Sequence, residues 1–159
     1  MVSVPLPPAY VINQTITKTY RMNNEAGAAA SIQAQPPNPP PAKTANPTVV
    51  GGVYFANRNT QFNPLVVLVT DQYGNPVSGQ AVDFQIQGIR SGPGANFGNA
   101  GPKKSVSATT GDNGLATATP TANGISGGNY TVTATAVDDK NKALPILGNP
   151  VTFQLYNSK

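Results

Sequence analysis

The chain has 159 residues and contains no cysteine, histidine or tryptophan, which excludes histidine-based and thiolate-based catalysis, imidazole and thiolate metal sites, and any disulfide framework. Ten Lys or Arg against six Asp or Glu give a net charge of +4, but the basic residues are scattered, with Lys103-Lys104 the one adjacent pair. Nucleic-acid surfaces cluster their basic residues and interleave aromatics, so the charge does not read as one.

Sixteen Gly, sixteen Pro and only 10% charged residues suit short strands joined by many turns. The length suits one domain plus an additional segment. Residues 1–46 read as that segment, an extended arm rich in Pro and Ala. It opens with Pro5, Pro7 and Pro8, then places Tyr10, Ile12, Ile16 and Tyr20 among polar residues. No early positive charge precedes an unbroken apolar core, so this stretch does not read as a secretory signal. No stretch approaches the ~20 apolar residues that span a bilayer. An isolated strand is not stable in water. The arm is therefore either a tail or a strand that pairs with a neighbouring chain, and Tyr10, Ile12, Ile16 and Tyr20 are its expected anchors. Residues 23–35 are Ala-rich. Asn24 offers a helix cap, but Gly27 and the missing apolar stripe argue against a helix. The run PPNPPP at 36–41 favours polyproline II and reads as a spacer of ~3.1 Å per residue. The boundary falls after residue 46, leaving 47–159 as the domain.

Residues 48–55 form the expected first strand of that domain, bulged at Gly51-Gly52. A polar loop over 57–63 follows. LVVLVT at 65–70 puts Leu65, Val67 and Val69 on one face and Val66 and Leu68 on the other. An apolar character on both faces marks a central strand. Gly74-Asn75-Pro76 is turn chemistry, since Gly and Asn tolerate positive φ and Pro fixes φ. In the next strand Val82, Phe84 and Ile86 share a face, with Asp83 and Gln85 turned away. The connection is too long for a tight hairpin, so the two strands are expected in different sheets.

Residues 88–104 read as a loop anchored in the core by Phe97. Their glycines lack the GK[ST] and the helix that a phosphate loop needs. Gly111-Asp112-Asn113-Gly114 between β-prone runs gives a hairpin signal. Asp112 has no acidic neighbour to share a calcium ion, and reads as a turn residue. From 130 to 136, Tyr130, Val132, Ala134 and Ala136 face in while three threonines face out. Asp138-Asp139 is either a cation-binding pair or a solvated turn. Val151, Phe153 and Leu155 close the domain. The six carboxylates are Glu25, Asp71, Asp83, Asp112, Asp138 and Asp139. A glycosidase needs two of them facing each other across a cleft, and turns at opposite ends of a sandwich do not provide this, so no enzymatic activity and no cofactor are expected.

The stretch TDQYGNPVSG at 70–79, with TGDNGLATA at 110–118, the segment from Asn123 through GNYTVTA at 128–134, and VTFQLYN at 151–157, resembles bacterial immunoglobulin-like domains of the invasin/intimin type. The resemblance covers residues 48–157 and leaves 1–46 outside. It implies an immunoglobulin-like β-sandwich of about seven strands, used as a rod or display module on cell surfaces, with related modules on phage particles. It implies no catalytic residues. Tyr130 stands where such folds place a tyrosine corner, whose hydroxyl bonds back to backbone. The function expected from all this is a non-enzymatic virion component, such as a capsid decoration or fibre protein. Residues 1–35 hold a protein lattice or neighbouring subunits, many copies assemble, and the sandwich loops meet a host surface. The alternative is a rod segment of a bacterial cell-surface adhesin.

Overall fold

In the computed structural model the described residues are 25–36, 48–87, 91–98 and 103–159, and all regular structure among them is β. Strand β4 (Leu65–Thr70) shows why. Its inward residues Leu65, Val67 and Val69 are fully buried, and its backbone is paired on both sides. One neighbour is β1 (Ser31–Gln35) and the other is β8 (Leu115–Ala118), giving a three-stranded sheet in the order β1-β4-β8. Val67 sits opposite Ala34 on one side and Ala116 on the other. Small partners leave room for the valines to reach the core.

A six-stranded sheet supplies the other inner face. It contains β2 (Thr48–Val50), β3 (Val53–Asn57), β5 (Ala81–Gln87), β7 (Ser105–Thr109), β10 (Gly127–Ala136) and β11 (Val151–Ser158), in the order β2-β3-β11-β10-β5-β7. Its ladders are antiparallel except β3 against β11, which is parallel. Val132 lies between Ile86 and Phe153 in register. Strands β6 (Ala95–Phe97) and β9 (Pro120–Ala122) form a separate pair. Val67, Val69, Val82, Phe84, Val132, Ala134, Phe153 and Leu155 belong to one buried cluster fed by both large sheets. This is an all-β arrangement of the sandwich type, in which a shared apolar core holds two sheets together. Tyr54 and Phe153 meet edge to face with ring centroids 5.7 Å apart, which aromatic quadrupoles favour.

Three expectations are corrected by pairing. Gly51-Gly52 is not a bulge. Both glycines have positive φ (57° and 80°) and Val50 faces Val53, so they form the two-residue turn of a β2–β3 hairpin. Residues 111–114 do not make a hairpin either. Strand β7 pairs with β5 and β8 with β4, so the turn crosses from one sheet to the other. Most consequentially, the segment assigned to the arm enters the domain. Residues 31–35 are a strand of the sheet and 25–30 are irregular, with no helix. Among the described residues eleven strands appear rather than about seven, because hairpins, the β6–β9 pair and β1 subdivide the layers. Strands β4 and β5 do lie in different sheets, and Phe97 is buried, as their patterns imply.

Candidate functional site

Sequence patterning placed the site in the arm, at Tyr10, Ile12, Ile16 and Tyr20. These lie outside the described residues. The structure describes the place where the chain following them meets the sandwich.

Ser31–Gln35 holds a single large apolar residue, Ile32, and its strand state comes from its neighbours rather than from propensity. Its register against β4 puts Ser31 opposite Thr70 and Gln35 opposite Val66. The Ser31 and Thr70 hydroxyls are 2.7 Å apart. On the other edge, Ile32 N–H donates to Leu147 O at 2.9 Å and Leu147 N–H donates to Ala30 O at 3.1 Å. The strand thus occupies a slot with hydrogen-bonding walls on both sides. Ile32, only 2% exposed, is driven into the core between them. Gly148 shapes one wall. Its φ is +78°, and a Cβ there would overlap the Ile32 carbonyl oxygen.

The end of the slot is set by Asp71. Its Oδ2 accepts from Gly27 N–H at 3.0 Å and from Asn75 Nδ2 at 3.0 Å. Its Oδ1 accepts from the N–H groups of Tyr73 and Asn75, at 2.8 and 2.9 Å. Two of these bonds and the Asn75 amide build the turn, while the Gly27 bond reaches 44 residues back. The Asn75 amide, then the Gly27 N–H, then the remaining N–H groups hold the carboxyl far below the usual range, outweighing its burial. A depressed folded pKa contributes stability above the unfolded value of about 3.9 and loses it as the pH falls through the folded value. The native protein should therefore lose part of its thermal stability on acidification below about pH 4. Asp71→Asn keeps an acceptor for the turn but offers Gly27 an amide instead of an oxygen. This variant should melt several degrees lower at neutral pH and show a flatter acid limb, read by thermal unfolding across pH.

Around this slot large apolar side chains remain in solvent, Tyr73 79% exposed and Leu147 80% exposed. A cavity of about 320 Å³ opens where Ala34 and Pro36 approach Val49, Tyr54 and Phe153.

At the opposite end of β10 lies a second polar cluster. Tyr130 donates to Asn157 Oδ1 at 2.7 Å, so the tyrosine expected to bond backbone bonds a buried side chain instead. Asn157 Nδ2 lies within 3.0 Å of Gly94 O, Asn123 Oδ1 and Ile125 O. Asn123 in turn accepts from Gly94 and Ile125 N–H and donates to Gly92 O. Burial pushes the Tyr130 phenol above its usual range and keeps it a donor. This knot joins Gly92, Gly94, Asn123, Ile125, Tyr130 and Asn157.

The remaining acidic candidates are turn residues. Asp138 Oδ1 accepts from Lys140 and Lys142 N–H, and Asp112 accepts from Ser78 Oγ. No group of three or more metal-ligating acids gathers among the described residues, nor does any helix there have the length and apolarity to cross a membrane. What the fold and site define is an all-β domain with its preceding segment stitched into one sheet. No known family model matches the chain, and no curated protein matches it in sequence.

Proposed function

We propose that the protein is a non-enzymatic structural and display protein, a virion component of the decoration or fibre kind, whose N-terminal arm holds a protein lattice and whose sandwich is presented outward. The observation that carries this reading is the docking of residues 27–35. Asp71, the β4 ladder and Leu147 join that segment to the core by backbone bonds, so a load on residues 1–24 passes into a folded sheet. The immunoglobulin-like reading draws support from strand order. The sheets β1-β4-β8 and β11-β10-β5 follow the A-B-E and G-F-C orders of such sandwiches, with β7 added beyond β5 as in the variable type. The buried polar groups Asp71, Thr110 and Asn157 are engaged in structural hydrogen bonds, which fits a scaffold.

The test uses the arm. Ile12→Asp with Ile16→Asp should abolish incorporation into particles, read by co-sedimentation, with the melting temperature of the sandwich unchanged. Full incorporation of this variant would contradict the anchoring role.

A second reading, a rod segment of a bacterial surface adhesin, is favoured by one observation. Gly27 meets the Asp71 end of the sandwich, and Asn157 belongs to the opposite end, as a linear array requires. The intact mass of the protein isolated from its source separates the two. About 16.4 kDa on purified particles supports the first, and a far larger mass in the cell envelope supports the second.

A further inference from the structure

We propose that the slot in the three-stranded sheet is an exchange site for a second copy of this chain. In such an exchange β1 of one copy occupies the slot of another, so that copies are linked by a shared strand. This goes beyond the display reading and holds whichever surface the arm grips.

Every wall of the slot comes from sequence remote from β1: β4 along one edge, Leu147 along the other, Asp71 at the end and Gly148 close against the Ile32 carbonyl. The slot reads β1 through backbone bonds, the Ser31 hydroxyl and one inserted side chain, Ile32, while Gln33 and Ala34 are exposed. That is the mode of strand addition, in which main-chain bonds supply affinity and a pocket supplies register. An identical copy satisfies the same walls with identical contacts. Exchange therefore costs no interaction, and the balance between closed and linked forms is set by concentration and by the tether.

The tether is residues 36–47, twelve residues of which six are proline. At ~3.1 Å per residue an extended tether of this kind reaches ~37 Å, about twice the ~17 Å length of a five-residue strand. A reach of this size allows β1 to enter a neighbouring slot without unfolding either sandwich. Subunits joined this way carry load through a β-ladder, in keeping with a display or fibre role.

The absence of native cysteine gives a direct test. Ser31 and Thr70 are facing partners whose hydroxyl oxygens are 2.7 Å apart, a pairing close enough for a disulfide. Differently tagged Ser31→Cys and Thr70→Cys full-length chains are mixed, unfolded and refolded together at high concentration under mild oxidation. Exchange yields a reducible mixed dimer on a non-reducing gel. The double variant, refolded dilute, should close the same bridge within one chain. A bridged double variant together with no mixed dimer would overturn the proposal, because each copy would then keep its own strand. A parallel measurement needs no substitution. Tagged and untagged wild-type chains refolded together at high concentration should co-purify, and elution of the untagged chain solely as monomer would overturn the proposal equally.

Discussion

Asn157→Leu should lower the unfolding free energy by about 3–5 kcal/mol, since a buried donor or acceptor left without a partner costs about 1–3 kcal/mol each. Leucine keeps the branched skeleton but cannot accept from the Tyr130 hydroxyl or donate to Gly94 O and Ile125 O. Asn123 keeps its own bonds to Gly92, Gly94 and Ile125, so the loop is weakened rather than released. Urea unfolding should show a lower midpoint with an unchanged slope. The partner test is a cycle with Tyr130→Phe, which removes the stranded hydroxyl. The double variant should be less destabilised than the sum of the two singles, because both partners of one bond are then gone. Strict additivity would mean that the Tyr130–Asn157 bond contributes nothing.

The second large effect is expected at Gly148. Gly148→Ala forces a non-glycine residue into φ +78°, a strain of about 1–3 kcal/mol. It also drives a methyl group into the Ile32 carbonyl oxygen, which is backbone and cannot rotate away. The cost should therefore exceed that of Gly74→Ala, where φ is +84° but nothing lies within 4 Å of the added carbon. Gly74→Ala should show only the left-handed penalty of roughly 1–2 kcal/mol. The two variants differ in place as well as size. Gly148→Ala should loosen β1 specifically, with Ile32 and Leu147 amides exchanging faster, whereas Gly74→Ala should leave them unchanged. Equal losses in both variants would show that the Gly148–Ile32 approach does not hold the strand.

The alternation at Val82-Phe84-Ile86, at Tyr130-Val132-Ala134-Ala136 and at Val151-Phe153-Leu155 was enough to place three strands and their buried faces, because half-buried strands must alternate. The two-sided apolar run at 65–70 likewise marked the central strand of the three-stranded sheet. The glycines at 51–52 read as a bulge and residues 111–114 as a hairpin turn, because sequence marks an irregularity without saying which strands it joins. That depends on the partner ladders. Strand β1 escaped notice for a related reason. SIQAQ carries one large apolar residue and little β propensity, and its state is decided by the open edge of β4 and by Leu147, 115 positions further on than Ile32. The Asp71–Gly27 bond spans 44 residues and leaves no local pattern. Asp71 stands just before the Gly74-Asn75-Pro76 turn signal, and its bond to Gly27 has no counterpart in that local pattern. Tyr130 faces inward as its alternation implies, although its strand begins three residues earlier at Gly127, and its partner is Asn157, which sits among the inward-facing positions of β11 after Phe153 and Leu155. A buried asparagine continuing an apolar alternation was the available signal. For the expected anchors Tyr10, Ile12, Ile16 and Tyr20 the described structure begins too late in the chain to place them.

Residues 27–35 belong to the folded sheet and couple whatever precedes them to the core. Native-state amide exchange on the full chain tests this most directly, because hydrogen-bonded amides in a cooperative unit open together. The Ala30, Ile32 and Leu147 amides, which donate to Thr70, Leu147 and Ala30 carbonyls, should be protected together and approach the protection of the Val69 amide in the adjoining strand. Exchange of Ile32 and Ala30 at the rate of an unstructured chain, with Val69 still protected, would contradict the account and return the segment to a free tether.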